Sequence, residues 1–249
     1  MKRIVSRIGL VCLIIASLLV LDSCSSSKKA TTRKSDASVA ANAIDYKQIK
    51  KEVNSKSSEF YYPELLRRFE AADTTMTIEH LRHIYYGAAT LPDYNPYASG
   101  FESELEKALA VDEPTPSDWE NALGIVNKHL AKDPANLTSR LYKLNITEKV
   151  YGEDSQEFID AYNQLTMLFY AILSTGDGQS KETAFYITSV DDEYTFMKMI
   201  GVRPQGQALV GSDKGESFDL MDIVDDDGSE GKLYFNITIM MKSLNKMFN

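Results

Sequence analysis

Thiols are almost missing from this chain: Cys12 and Cys24 are its only two cysteines. A disulfide framework is therefore excluded, and stability has to come from packing. Phosphate-loop glycines are missing too, because no Gly-Lys-Ser or Gly-Lys-Thr occurs, and no serine stands in a Gly-x-Ser-x-Gly elbow. No apolar run is long enough to span a bilayer. The longest, residues 8–21, has fourteen residues, where a spanning helix needs roughly twenty. Positive charge is short as well, with 27 basic against 36 acidic residues. Seven of the basic and two of the acidic residues precede Ile44, which leaves the rest at 20 against 34, or −14. Such a body repels phosphate backbones, so nucleic acid is not an expected partner.

What is present at the start reads as an export leader. Lys2, Arg3 and Arg7 form a basic head, residues 8–21 the apolar run, and Ser23 precedes Cys24. Leu21-Asp22-Ser23-Cys24 resembles the lipobox of bacterial lipoproteins, although Asp22 stands where a small or apolar residue is usual. The resemblance implies that residues 1–23 are a signal peptide and that Cys24 becomes the lipidated first residue. The membrane is then a partner through a lipid anchor, and no free thiol remains. Residues 25–43 carry Lys28, Lys29, Arg33 and Lys34 without apolar periodicity and read as a disordered tether. Ser25 lacks the aspartate that retains lipoproteins at the inner membrane. The expected location is the cell envelope of a Gram-negative bacterium, at the outer membrane and facing the periplasm.

From Ile44 onward one α+β domain is expected, helical over residues 44–175 and mixed over 176–249. Ile44, Tyr46, Ile49 and Val53 outline a first helix, and Pro63 opens a second. Thr77 caps a third running to about Ala89. Ser99 with Glu102, and Ser117 with Glu120, match capping boxes. Helices over 118–131 and 137–151, joined at Asp133-Pro134, form a hairpin, and the helix over 155–173 is the most apolar. Gly176-Asp177-Gly178 stops it. Strands are expected at 183–190, 207–210, 217–224 and 232–239. A short helix over 191–200 turns Tyr194, Met197 and Ile200 inward, and a helix over 240–248 closes the chain. A small mixed or antiparallel sheet against grouped helices is the α+β class.

Tyr62-Pro63-Glu64-Leu65, Asp73-Thr74-Thr75-Met76-Thr77, Arg82-His83-Ile84-Tyr85-Tyr86-Gly87 and Asn95-Pro96-Tyr97 carry a more specific likeness. So do the stretch from Gly176 to Phe185 and Lys232-Leu233-Tyr234-Phe235-Asn236. In this order they are similar to the uncharacterised bacterial lipoprotein family named domain of unknown function 4919. The resemblance implies a domain from about Ile44 to Asn249 in the envelope, and no activity.

Chemistry has few places to sit. Glu79, His80 and His83 share one helix at metal-ligand spacing, but no clear third ligand follows, and a solvated helix face explains them more simply. The run from Asp225 to Glu230 has calcium-like letters. Its glycine falls wrongly for an EF-hand, and a hairpin turn accounts for it. No cofactor is expected. Seven of the fourteen tyrosines lie between Tyr46 and Tyr97. Tyr61, Tyr62, Tyr85, Tyr86, Tyr94 and Tyr97 are the candidate ligand-binding set. Adjacent helical side chains point about 100° apart, so one of Tyr85 and Tyr86 is expected at the surface. The same rings would alternatively plug the joint between helices and sheet. The reading is an envelope lipoprotein that binds or scaffolds an unknown envelope protein or polymer, without catalysis. Two alternatives stand beside it: an envelope glycan or peptide hydrolase working through carboxylates, and an acidic inhibitor or immunity-type protein.

Overall fold

The computed structural model describes residues 43–97 and 101–247. The leader, Cys24, the tether and the Ser99 cap lie outside the described residues.

The helical half follows its caps. Asp45 accepts from the amides of Lys47 and Gln48 to open α1 (Tyr46–Val53), which buries Ile49 and Val53. Pro63 sits in the first turn of α2 (Tyr62–Glu70), where its missing N–H costs nothing. Thr77 caps α3 (Ile78–Ala88) as expected, and His80 closes the box by accepting the Thr77 amide on Nδ1 at 3.0 Å. After α4 (Phe101–Ala108), α5 (Pro116–Leu130) starts earlier than the sequence led one to expect. Its box is Thr115 with Asp118, not Ser117 with Glu120, because Pro116 takes the first helical position and pulls the cap back before it. Asn136 caps α6 (Leu137–Tyr151), and Ser155 caps α7 (Gln156–Leu173).

As its composition predicts, α7 is the centre. Leu165, Leu168, Ala171 and Ile172 have no exposed surface. They join α1, α2, α3, α6 and the sheet in one large apolar cluster. A smaller cluster of Phe101, Leu105, Ala122, Leu123, Val126, Leu130 and Ile146 sits among α4, α5 and α6.

The mixed half forms a four-stranded sheet in the order β1-β4-β3-β2. The strand expected over 183–190 shrinks to β1 (Phe185–Tyr186), which pairs parallel with β4 for two residues. Ser189 then leaves the sheet to cap α8 (Val190–Met199). Next, β2 (Val202–Gly211) is longer than expected, and it tolerates Pro204 because it is an edge strand with an irregularity between Pro204 and Gly206. Asp225 to Ser229 makes the turn between β3 (Ser217–Asp225) and β4 (Glu230–Asn236), with Asp225 Oδ1 accepting from the amides of Asp227 and Ser229. Finally, α9 (Thr238–Met247) begins two residues before the expected start.

The Gly176-Asp177-Gly178 stop is also a packing device. A Cβ at Gly176 would lie 2.0 Å from the Thr183 carbonyl oxygen, and one at Gly178 would lie 2.7 Å from Phe185. Among the described residues no helix is long and apolar enough to cross a membrane.

Candidate functional site

The six candidate tyrosines do not share one surface. Tyr62 lies buried against Gly87, Tyr61 is half-buried, and Tyr85 and Tyr86 have no exposure at all. The expectation that one of the last two reaches solvent is overturned. It assumed a helix with a single buried stripe, whereas α3 is enclosed by α1, α2 and α7, so every residue from His83 to Gly87 is buried. Their hydroxyls bind the segment that follows α7. Tyr86 donates to the Tyr186 carbonyl at 3.1 Å, Tyr94 donates to the Thr188 carbonyl at 2.5 Å, and Tyr85 donates to Asp192 at 3.0 Å. Of the six, Tyr97 is the one classed as exposed, at 37%.

Glu79, His80 and His83 are turned to separate tasks. The Glu79 carboxylate pairs with Arg82 at 3.2 Å, and His80 is occupied by Thr77. His83 is buried and stacked on Phe60 at 3.9 Å, with its ring nitrogens 2.7 Å from the Glu79 carbonyl and from Glu52. Among the described residues, no three His, Cys, Asp or Glu side chains are grouped to hold a metal.

A serine–histidine pair escaped the sequence because it spans the α5–α6 hairpin. Ser139 Oγ lies 2.8 Å from His129 Nδ1. Burial holds the His129 pKa below its ordinary value, which is suitable for a base, but Ser139 has no exposed surface. The pair fastens the hairpin and offers no reachable nucleophile.

The unexpected feature is acidic and lies at the start of α8. Asp191, Asp192 and Glu193 occupy its first turn, where the helix dipole favours negative charge. Yet Asp192 and Glu193 point inward, while Tyr194, expected inside, is 43% exposed. Asp192 is fully provided for, since its carboxylate accepts from the Tyr85 hydroxyl, the Thr138 amide at 3.1 Å and the Thr138 hydroxyl at 3.3 Å. Burial, with the Asp133 charge nearby, pushes its pKa up to about 7.

Glu193 is 0% exposed, and neither of its carboxyl oxygens has a donor. Its polar neighbour is the carboxyl of Asp219 on β3, within hydrogen-bonding reach. Burial first and the Asp219 charge second push Glu193 up to about 8, and burial raises Asp219 as well. Asp219 stands on the core side of the sheet, since its register partner Phe235 and the next inward pair, Met221 with Leu233, are all buried.

Exposed side chains converge on this pair. Leu209, 61% exposed, is the β2 register partner of Asp219 and therefore lies on the same face beside it. Gln207, two residues before Leu209 on β2, accepts from the Tyr194 hydroxyl at 3.4 Å. Partial burial first, and the Asp219 charge second, raise the Tyr97 hydroxyl pKa. Leu209 beside Asp219, and Tyr194 bonded to Gln207 two residues before it on β2, are thus exposed at this edge of the sheet. Sequence alone offered one signal for this, three successive acids at a helix start followed by tyrosine, but nothing to show that Glu193 would meet Asp219.

On the strands nearby, an open hollow of about 670 Å³ is lined by Gln205, Asp222, Ile223, Val224, Glu230, Gly231 and Lys232. Within it Lys232 donates to Asp222.

No curated protein and no solved structure matches the chain. A family model described as a domain of unknown function (DUF4919) matches residues 47–246. That span runs from the second residue of α1 to the last turn of α9 and takes in the whole sheet with Glu193 and Asp219, and the chain belongs to this family.

Proposed function

We propose that the chain is a cell-envelope lipoprotein, held to the outer membrane by lipid on Cys24, and that it works there as a non-enzymatic binding module. The observation that carries the binding role is the exposure of Leu209 beside Asp219 and of Tyr194 beside Gln207 on the same edge strand. Exposed aromatic and aliphatic side chains beside a desolvated polar centre are what recognition surfaces use for affinity and specificity. The basic head, short apolar run and Leu-Asp-Ser-Cys sequence support the address.

Carboxylate catalysis fits the geometry less well. Glycosidic cleavage places its two acids about 5 to 9.5 Å apart, with sugar or water between them, whereas Glu193 and Asp219 are both buried. A water-activating dyad needs both groups wet, and Glu193 is shut from solvent.

Two arms test the proposal in native cells. Cys24→Ala should move the chain from the membrane to the soluble fraction. A photo-crosslinking residue at Tyr194 should capture a discrete envelope partner that the same residue at Tyr151, exposed on α6, does not. A chain that is soluble with Cys24 intact overturns the address, and an empty Tyr194 crosslink overturns the binding role.

A further inference from the structure

We propose that α1 is docked by a proton-gated latch: His83, with hydrogen on both ring nitrogens, locks α1 to α3, and the loss of one of those protons frees α1 from the body. The latch uses other residues than the binding role above and does not depend on it.

The neighbours of each histidine show where its protons sit. A backbone amide only donates, so His80 Nδ1, which accepts from the Thr77 amide at 3.0 Å, is bare. His83 is placed the opposite way. Its Nδ1 lies 2.7 Å from the Glu79 carbonyl oxygen and its Nε2 lies 2.7 Å from Glu52 Oε2, and a carbonyl and a carboxylate only accept. A bare nitrogen at either distance would set lone pair against lone pair. Both nitrogens therefore carry hydrogen, and the ring is an imidazolium. Glu52 is its counter-ion across the α1–α3 contact. Partial burial works against the charge on Glu52, but hydrogen bonds from His83 and from Gln48, the latter at 3.1 Å to the other oxygen, outweigh it, and the nearby Lys51 adds to them. The carboxyl is held below its ordinary pKa.

The other charges near the ring are engaged elsewhere. The Glu79 carboxylate pairs with Arg82 at 3.2 Å, Arg68 pairs with Asp73 at 2.7 Å, and His80 Nε2 lies 4.0 Å from Glu59. Phe60 stacks on the His83 ring at 3.9 Å, and the side chain is 6% exposed. Such a shielded ion pair is stronger than one in water.

Little else holds α1 down. Ile49 and Val53 are its buried residues, and Tyr46 brings a buried hydroxyl with no hydrogen-bond partner, which opposes docking. When the ring loses a proton and keeps Nδ1–H on the Glu79 carbonyl, a bare Nε2 faces the Glu52 carboxylate and attraction becomes repulsion. The docked state binds this proton and the undocked state does not need it, so docking is favoured at low pH and lost as pH rises past deprotonation.

Nitrogen-15 signals of the His83 ring and hydrogen-exchange protection factors of the α1 amides, followed on the full chain from about pH 6 to about pH 9, test the latch. At the lower pH both ring nitrogens should show imidazolium shifts. As the ring loses its proton, α1 protection should fall at least about tenfold beyond any fall shared with α5, which the smaller cluster holds. Glu52→Gln is the conservative variant, because its amide can donate to a bare Nε2 or accept from a protonated one. Its α1 protection should stay within about twofold of constant over the same range. A neutral His83 ring while α1 is docked overturns the proposal, as does α1 protection in the parent that is indifferent to pH. A fall that Glu52→Gln shows in full also overturns it, and assigns the pH effect to other groups.

Discussion

Asp192 accepts three hydrogen bonds while neither carboxyl oxygen of Glu193, next along the helix, has a hydrogen-bond partner. Both pKa values are raised by burial, to about 7 and about 8. The folded state therefore holds protons that the unfolded state releases between about pH 4 and pH 8. Their stabilising contribution is complete below the unfolded values and is lost as pH rises through 7 to 8. Melting temperature should fall from pH 5 to pH 9, and Glu193→Gln should flatten that slope, with a difference on the order of 3 kcal/mol at pH 9. A parent chain equally stable at both pH values would refute this account. Tyr85→Phe removes one donor from Asp192 and an acceptor from the Thr188 amide. It should destabilise by about 1 to 3 kcal/mol in denaturant titration, and more at pH 9 than at pH 5, where Asp192 is neutral. At this scale the sequence was partly legible. The tyrosine crowd was visible, but its burial was not, because a helix face cannot be ranked inside or outside until the number of helices around it is known.

Among the elements, the helices could be read and the strands only in part. Asp45, Thr77, Asn136 and Ser155 each satisfy a helix start from within a few residues, and so leave a local trace. By contrast β1 depends on β4, far along the chain, and β2 hides behind Pro204, Gly206 and Gly211. The turn between α7 and β1 is the most constrained connection. Gly176→Ala would drive a Cβ into the Thr183 carbonyl at 2.0 Å, so this substitution should abolish the cooperative melt or lower it steeply. Gly124→Ala, on α5 with nothing within 4 Å of the new Cβ, should stabilise by about 0.5 to 1 kcal/mol. Circular dichroism melts of the two variants compare a close backbone approach with a simple propensity gain. The candidate site escaped the sequence for the reason that governs the strands. Glu193, Gln207, Leu209 and Asp219 belong to three elements, and only the β2–β3 register brings Leu209 beside Asp219.

As a whole the molecule is an α+β protein with a large core around α7 and a smaller one in α4 to α6. The fold class was legible because helical periodicity and strand alternation fall in separate stretches of the chain. The division of the core was not, since Ile146 joins the smaller cluster while Leu144, two residues earlier on the same helix, joins the larger. The −14 charge from Ile44 onward sets a global expectation. Raising sodium chloride from about 0.05 M to about 0.5 M should increase the melting temperature by screening self-repulsion, and an unchanged or lower value would show that the acids are already balanced locally.

Helix α1 is the first described helix, and its hold is slight: Ile49 and Val53 are buried, Glu52 meets His83 at 2.7 Å, and the Tyr46 ring meets Tyr86 edge-on at 6.1 Å. Any pull arriving through residues before Ile44 loads this helix before anything else. Peeling it away would strip Ile49 and Val53 from the large core and uncover α3, whereas the smaller core and the acids of α8 and β3 belong to other elements. Under tension α1 would serve as a mechanical fuse, giving slack before α7 and the sheet are loaded.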